Sequence, residues 1–312
     1  VKPSVYNHYR QFISDKYCLS KFFADIFTNL HLRRLSIFFN DIFHKGIQLY
    51  LKKNYLTYIE NFSENDIEVS PSTNFKQNSC IFVCWLQGIE NAPEIVKYCY
   101  KKLLENSNGH EVILITKENI LNTVHFPNYI MDKLEKGIIS YTYFSDLLRT
   151  ALLYCYGGIW IDATVFLTTP IDNNIFSFDF FSIKKNNYSP YYIPKGKWAI
   201  YFIAGKKECR TLALTNHLLC SFWKQNDIQI DYFLTDHIIN FCYENDRIVK
   251  SQIDSIPVSN NDVDFFKNRY DAPFEPNRWK QATKNTSIFK LSWKEKINTE
   301  KQGTWFSEVI KK

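Results

Sequence analysis

No apolar run in this chain reaches the ~18 residues that a membrane-spanning helix needs. No charged-then-apolar signal segment opens it either, so the expected location is the cytoplasm. Disulfide frameworks are also excluded. The eight cysteines, at 18, 80, 84, 99, 155, 209, 220 and 242, form no C-x-x-C pair and sit mostly inside apolar segments, which reads as reduced, buried thiols. The seven histidines show no metal-ligand spacing. There is no internal repeat. No nucleic-acid recognition motif accompanies the net charge of +6, so nucleic acid is not an expected partner.

What the chain does have is apolar and aromatic bulk. Its 312 residues suit one large domain, or a core with a helical accessory region. Apolar residues make up 45%, and the 20 Tyr and 26 Phe exceed what a core needs. Some of those rings are expected to line a sugar or nucleotide cleft, or to sit at a membrane surface. The positive balance favours anionic partners: a nucleotide diphosphate, a lipid diphosphate or an acidic membrane face.

Residues 1 to about 62 read as helices, with Phe22, Phe23, Ile26, Phe27 and Leu30, then Leu35, Phe38, Phe39, Ile42 and Phe43, at amphipathic spacing. Lys21, Arg33, Arg34, Lys45, Lys52 and Lys53 are interleaved. This region is either an ordinary helical subdomain packed on the core or a basic, aromatic face that docks on a membrane. Residues 63–79 are polar and turn-rich, a linker. The expected division is therefore 1–79, helical region and linker, and 80–312, an α/β core with a C-terminal tail.

Within the core, residues 80–87 read as a strand, 92–104 as a helix and 111–116 as a strand, and this β–α–β alternation points to a parallel sheet. Further strands are expected at 158–167, 178–183 and 198–203, and helices at 146–156, 211–223 and 232–243. Residues 255–277, with Pro257, Pro273 and Pro276, read as a loop able to act as a mobile lid. Residues 288–294 read as a strand or loop with basic residues. The Trp, Phe, Val and Ile of 303–312 fit either a lipid interface or a short helix folded back on the domain.

Residues 144–164 carry the most information. Asp146 and Arg149 stand three apart on an apolar helix, and hence on one face. Gly157 and Gly158 stop that helix, and a short apolar run delivers Asp162. A carboxylate at a strand end beside an acid–base pair suits a nucleotide–metal site. Taken alone, Asp146 and Arg149 read as a helix-surface ion pair, and Trp85 as core filler; the conjunction in this order carries the functional reading.

Asp146-x-x-Arg149 followed by Tyr156-Gly157-Gly158-Ile159-x-Ile161-Asp162 resembles the donor-sugar motif of family 32 glycosyltransferases. It is most similar to their bacterial capsular-polysaccharide branch, with its α-galactosyl- and glucosyltransferases of the pneumococcal-capsule type. It is more distantly similar to the clostridial glucosylating toxins. Ile81-Phe82-Val83-Cys84-Trp85-Leu86-Gln87-Gly88 resembles the first strand of the same family, and the match covers roughly residues 80–169. The resemblance implies a GT-A, Rossmann-like nucleotide-sugar core with a mostly parallel sheet, plus the helical N-terminal extension. It further implies that Trp85 stacks on uracil, that Asp146 and Arg149 hold ribose and base, and that Asp162 binds Mn²⁺ or Mg²⁺ on the diphosphate. Where the family usually has a second Asp, this chain has Thr164, as capsular members often do; Thr164 touches a metal without adding charge.

The implied activity is retaining transfer of galactose or glucose from a UDP-hexose to a lipid-linked (polyprenyl diphosphate) saccharide, at the inner face of the cytoplasmic membrane, in assembly of a capsule or related surface glycan. Gly88, Tyr156, Gly157 and Gly158 belong to the donor-site motifs. Lys290 or Lys294 would add positive charge at the diphosphate. Asp236 is the candidate second carboxylate, with Asn240 one turn later; the alternative for Asp236 is a solvated helix residue. Two other classes stay open: a catalytically silent sugar-nucleotide or glycan-binding protein, prompted by Thr164, and a toxin-like enzyme that glycosylates protein.

Overall fold

The computed structural model describes residues 7–312; residues 1–6, assigned above to the helical N-terminal region, lie outside the described residues. Helices α1 (Asp15–Asn29) and α2 (Arg33–Glu60) pack along each other. The α2 positions Ser36, Asn40, Phe43, Ile47, Leu51, Tyr55 and Ile59 recur at three-and-four spacing, and all are buried. This inward stripe lies against two later helices and is continuous with the main hydrophobic core.

Strand β1 (Ser70–Pro71) precedes β2 (Ile81–Cys84), α3 (Glu94–Glu105), β3 (Val112–Ile115) and β4 (Val124–His125), the last pairing back with β1. Helices α4 (Asn128–Glu135) and α5 (Tyr141–Tyr156) lead into β5 (Gly158–Ile161), β6 (Val165–Leu167), β7 (Phe180–Ser182) and β8 (Phe202–Gly205). Then come α6 (Arg210–Gln225), α7 (Leu234–Asn245), α8 (Arg247–Asp254), α9 (Pro276–Ala282) and β9 (Ile288–Lys290).

The main sheet has five strands in the order β3-β2-β5-β8-β7. Its β2–β3 and β2–β5 pairs are parallel, and its β5–β8 and β7–β8 pairs antiparallel. The sheet is thus mixed, which corrects the mostly parallel expectation. That expectation came from the β–α–β run at 80–116, the one place where a helix crosses between sheet neighbours. Between β7 and β8 the chain makes turns without an α-helix, and a strand that returns by a loop pairs antiparallel.

The single strand expected at 158–167 is two. The Val165 amide donates to the Asp162 carbonyl at 2.9 Å, closing a turn, and β6 leaves the main sheet to pair with β9. The strand expected at 198–203 is displaced to β8, because Gly205 pairs with Gly158 and sets that register. Trp198 lies before it, in the loop.

The lid and tail readings change together. Residues 255–275 are largely turns, but Val263 and Phe266 are fully buried and Tyr270 nearly so. Phe265, Phe266 and Tyr270 form a second apolar cluster with Trp305, Phe306 and Ile310. A segment holding that much buried aromatic surface is part of the fold, not a mobile lid. The tail is folded back, with Trp305 1% exposed and Phe306 and Ile310 0%, which overturns the lipid-interface reading of residues 303–312.

The double glycine is required by space. Gly157 has φ +67°, and a Cβ there would meet Asn78 Oδ1 at 2.0 Å; Gly158 has φ +106°, and a Cβ there would meet the Cys80 carbonyl oxygen at 2.3 Å. Both force the helix-to-strand corner against β2. Replacing Gly158 by Ala should cost ~3 kcal/mol or more, from backbone strain plus the clash. Urea denaturation of Gly158→Ala checks this; unchanged stability would show that the corner relaxes freely.

Candidate functional site

Strands β2 and β5 run parallel, with Ile81 level with Ile159 and Phe82 with Trp160. At that offset Asp162 is level with Cys84, and Trp85 lies one residue further on. The connection from β2 runs through α3 to β3 on one side, while β5 lies on the other. Such a reversal leaves a crevice at the carboxyl ends of the strands, where open α/β sheets take ligands. Trp85 and Asp162 therefore leave the sheet at the same place.

Asp162 anchors a charge network that is buried on the Arg149 side and partly exposed on the Lys290 side. Alternation along β5 puts Trp160 and Asp162 on one face, and the Trp160 indole N–H donates to Asp162 Oδ1 at 3.0 Å. Arg149 Nη1 stands 3.5 Å from the same oxygen, and Arg149 Nη2 lies 2.9 Å from Asp146 Oδ1. The guanidinium sits 5.2 Å from the Trp160 ring centroid. It also donates to the Ile200 carbonyl at 2.7 Å, the Ser145 carbonyl at 3.2 Å and Ser145 Oγ at 3.3 Å. Each of the three guanidinium nitrogens thus donates to a protein acceptor. With Asp146 9% and Arg149 5% exposed, this is no helix-surface pair. Arg149 ties two carboxylates together, Asp146 and Asp162.

The opposite side of Asp162 meets Lys290. Pairing of β6 with β9 sets Val165 opposite Lys290. The ammonium donates to Asp162 Oδ2 at 2.9 Å and to Thr164 Oγ1 at 2.7 Å. Its Nζ lies 5.0 Å from the Tyr201 ring centroid. Burial opposes ionisation of Asp162, but the Lys290 ammonium and the Arg149 guanidinium outweigh it and hold the carboxyl down at about 2.

The other two carboxyls behave differently. Burial raises Asp146 against the pull of Arg149 and of the Thr235 hydroxyl, which donates to Asp146 Oδ2 at 2.8 Å. Asp236, next along α7, is 5% exposed and accepts from Trp198 Nε1 at 2.8 Å. Burial pushes it up to about 7; the Trp198 bond and Arg149 pull down, while Asp146 pushes up. Asp236 is a buried acid behind the site, not a solvated helix residue.

Aromatic rings form the rim. Trp85 is half-buried and meets the Trp293 ring edge-on at 6.0 Å, and its indole N–H is buried with no acceptor. Trp293 is 46% and Tyr232 62% exposed. Lys294 is exposed, with its ammonium 5.8 Å from the Trp293 ring centroid; it stands at the Trp85 end and not on Asp162.

Other expected residues lie elsewhere. The Tyr156 hydroxyl donates to the Thr123 carbonyl and accepts from the Ser72 and Thr73 amides, bracing β1 and β4. Gly157 and Gly158 serve the corner itself. Asn240 donates to Gln48 Oε1 on α2, away from Asp162. Gly88 turns the chain after Trp85 at φ +76°, in open space. Trp160, Trp198, Tyr201, Tyr232 and Trp293 were not singled out from sequence. Only Trp160 carried a signal, its i, i+2 alternation with Asp162; the others come from distant segments.

Among the described residues, no group of three or more His, Cys, Asp or Glu is placed to hold a metal. The oxygens available at the strand end are those of Asp162 and Thr164, and Lys290 bridges them.

This arrangement sits within a recognised sequence family, since the model described as capsular polysaccharide synthesis protein matches residues 30–309. The chain belongs to the capsular polysaccharide synthesis family. Membership places it in capsule biosynthesis, and the match runs from the second helix through the buried tail, so both flanks of the site lie inside the family unit. No curated protein matches the chain. Among the described residues, no helix is long and apolar enough to cross a membrane.

The buried Asp236 has a consequence for stability. Its pKa is raised on folding, so its favourable contribution is full below the unfolded carboxyl value, near ~4, and is lost as pH rises towards about 7. Asp236→Asn keeps the shape and cannot ionise. Relative to wild type, its stability in urea denaturation should improve steadily from pH 4 to 7; a pH-independent difference would contradict the assignment.

Proposed function

We propose that this capsular polysaccharide synthesis protein is a GT-A-type retaining hexosyltransferase, which moves galactose or glucose from a UDP-sugar to a lipid-linked saccharide. The observation that carries the reading is the joint emergence of Trp85 and Asp162 at the switch point of the sheet, with Lys290 brought across from β9. The Trp85–Trp293 pair offers faces for a base, and the Asp162 end offers charge for a diphosphate.

In the transfer, the bond from sugar C1 to the β-phosphate oxygen breaks and its electron pair stays on that oxygen. The acceptor hydroxyl oxygen bonds to C1 on the same face, and its proton passes to the departing phosphate. Asp236 is buried and accepts from Trp198 Nε1, which supports this front-face course over a covalent intermediate on that residue. Arg149 and Asp146 act by holding Asp162 in place.

UDP release from a panel of UDP-sugars tests the reading. One UDP-hexose should turn over, and Asp162→Asn should lower the rate by ~10²-fold or more. Binding of UDP without release from any donor, even with extracted lipid-linked saccharides, would favour a silent binding protein. Labelling of lysate proteins would favour the toxin-like alternative.

The acceptor side is supported by the tip of the α1–α2 hairpin. Leu30, Leu32, Leu35 and Phe38 are 44–61% exposed there. Residues 26–40 include Arg33 and Arg34 and no Asp or Glu. An apolar tip with positive charge and no acid fits an anionic bilayer surface. Sedimentation should show the protein on vesicles containing phosphatidylglycerol and not on pure phosphatidylcholine. Leu35→Ser with Phe38→Ser should release it while UDP binding persists; unchanged sedimentation would reject the tip as the contact.

A further inference from the structure

We infer that Lys290 occupies the seat of the divalent cation, so that this protein binds and neutralises its nucleotide diphosphate without a metal. The inference rests on the transferase reading above and goes beyond it. A divalent ion on a diphosphate takes one or two carboxylates from the protein. Here the half-buried strand end supplies one, Asp162, and each of its oxygens already accepts a hydrogen bond, Oδ1 from the Trp160 N–H at 3.0 Å and Oδ2 from the Lys290 ammonium at 2.9 Å. Thr164, the other expected ligand, also receives Lys290, at 2.7 Å.

A divalent ion bound to Asp162 would therefore share that carboxylate with two fixed cations, Lys290 at 2.9 Å and Arg149 at 3.5 Å. The residues present do not fit a metal in this arrangement. They fit an ammonium, because –NH₃⁺ has three donors, two are placed by Asp162 and Thr164, and one remains for a ligand. The Lys290 side chain is 25% exposed, so the third donor has an outlet. The same contacts explain why a hydroxyl at position 164 suffices: an ammonium donates to a neutral oxygen, whereas a divalent ion favours a second charge. Placed there, Lys290 donates to the diphosphate oxygen that gains the electron pair as the sugar leaves, which stabilises the transition state more than the ground state.

The test uses the full chain with UDP as probe. Calorimetric affinity for UDP should change less than about threefold between EDTA and millimolar Mn²⁺. Mn²⁺ paramagnetic resonance should show no protein-bound ion with or without UDP. Lys290→Met, with folding checked by circular dichroism, should lose at least tenfold in UDP affinity in EDTA. Lys290→Arg, which keeps the charge, should recover part of it. UDP binding that requires Mn²⁺, or a Lys290→Met protein that binds Mn²⁺ and UDP more tightly than wild type, would overturn the inference and leave the transferase reading standing. No UDP binding under any condition would overturn both.

Discussion

A carboxylate held between two cations at the end of a central strand is the constraint around which this protein is arranged. Asp162 is where the sheet ends and the chain turns, and it stays ionised although burial opposes that. Breaking a buried pair leaves an uncompensated charge, which costs far more than the pair itself gains. The Arg149 side of the network is closed by helix α5 and the Ile200 carbonyl. The Lys290 side is closed by a strand from the last tenth of the chain. The site is complete only when both flanks are folded.

The C-terminal aromatic cluster takes its meaning from this arrangement. Phe266, Phe289, Trp305 and Phe306 bury against Phe166 and Cys99, and this packing holds β9 against β6. Burial of large rings contributes roughly 1.5–3 kcal/mol each, ample to fix one short two-stranded ladder. The positioning of a single ammonium is thus sustained by apolar surface some distance from it. The N-terminal hairpin does comparable work behind the site, where α2 packs on α7, the helix that carries Thr235 and Asp236.

Much of the local structure was legible in the sequence, because it follows from local rules. The β–α–β run, the helix carrying Asp146 and Arg149, and the stop at Gly157-Gly158 each follow from periodicity and backbone freedom within a short window. The membership in a capsular family was legible in the same stretch. Less legible was anything needing a distant partner: the antiparallel half of the sheet, the displaced β8, and the burial of residues 255–275, whose prolines and charges resemble those of a surface loop.

By itself the sequence determined which side chains leave the strand ends, since alternation and glycine punctuation settle that within ten residues. It put Trp85 and Asp162 at the ends of strands, and the structure has each one residue past its strand, after Cys84 and Ile161. Only the tertiary structure decided what those residues face. Burial turned an apparent surface ion pair into an internal scaffold, and Tyr156 and Asn240 took bracing roles. It also brought Lys290 across 128 positions onto Asp162. The reason is physical: charge state and hydrogen-bond partners depend on three-dimensional neighbours and on exclusion of water, and neither is encoded in the spacing along the chain.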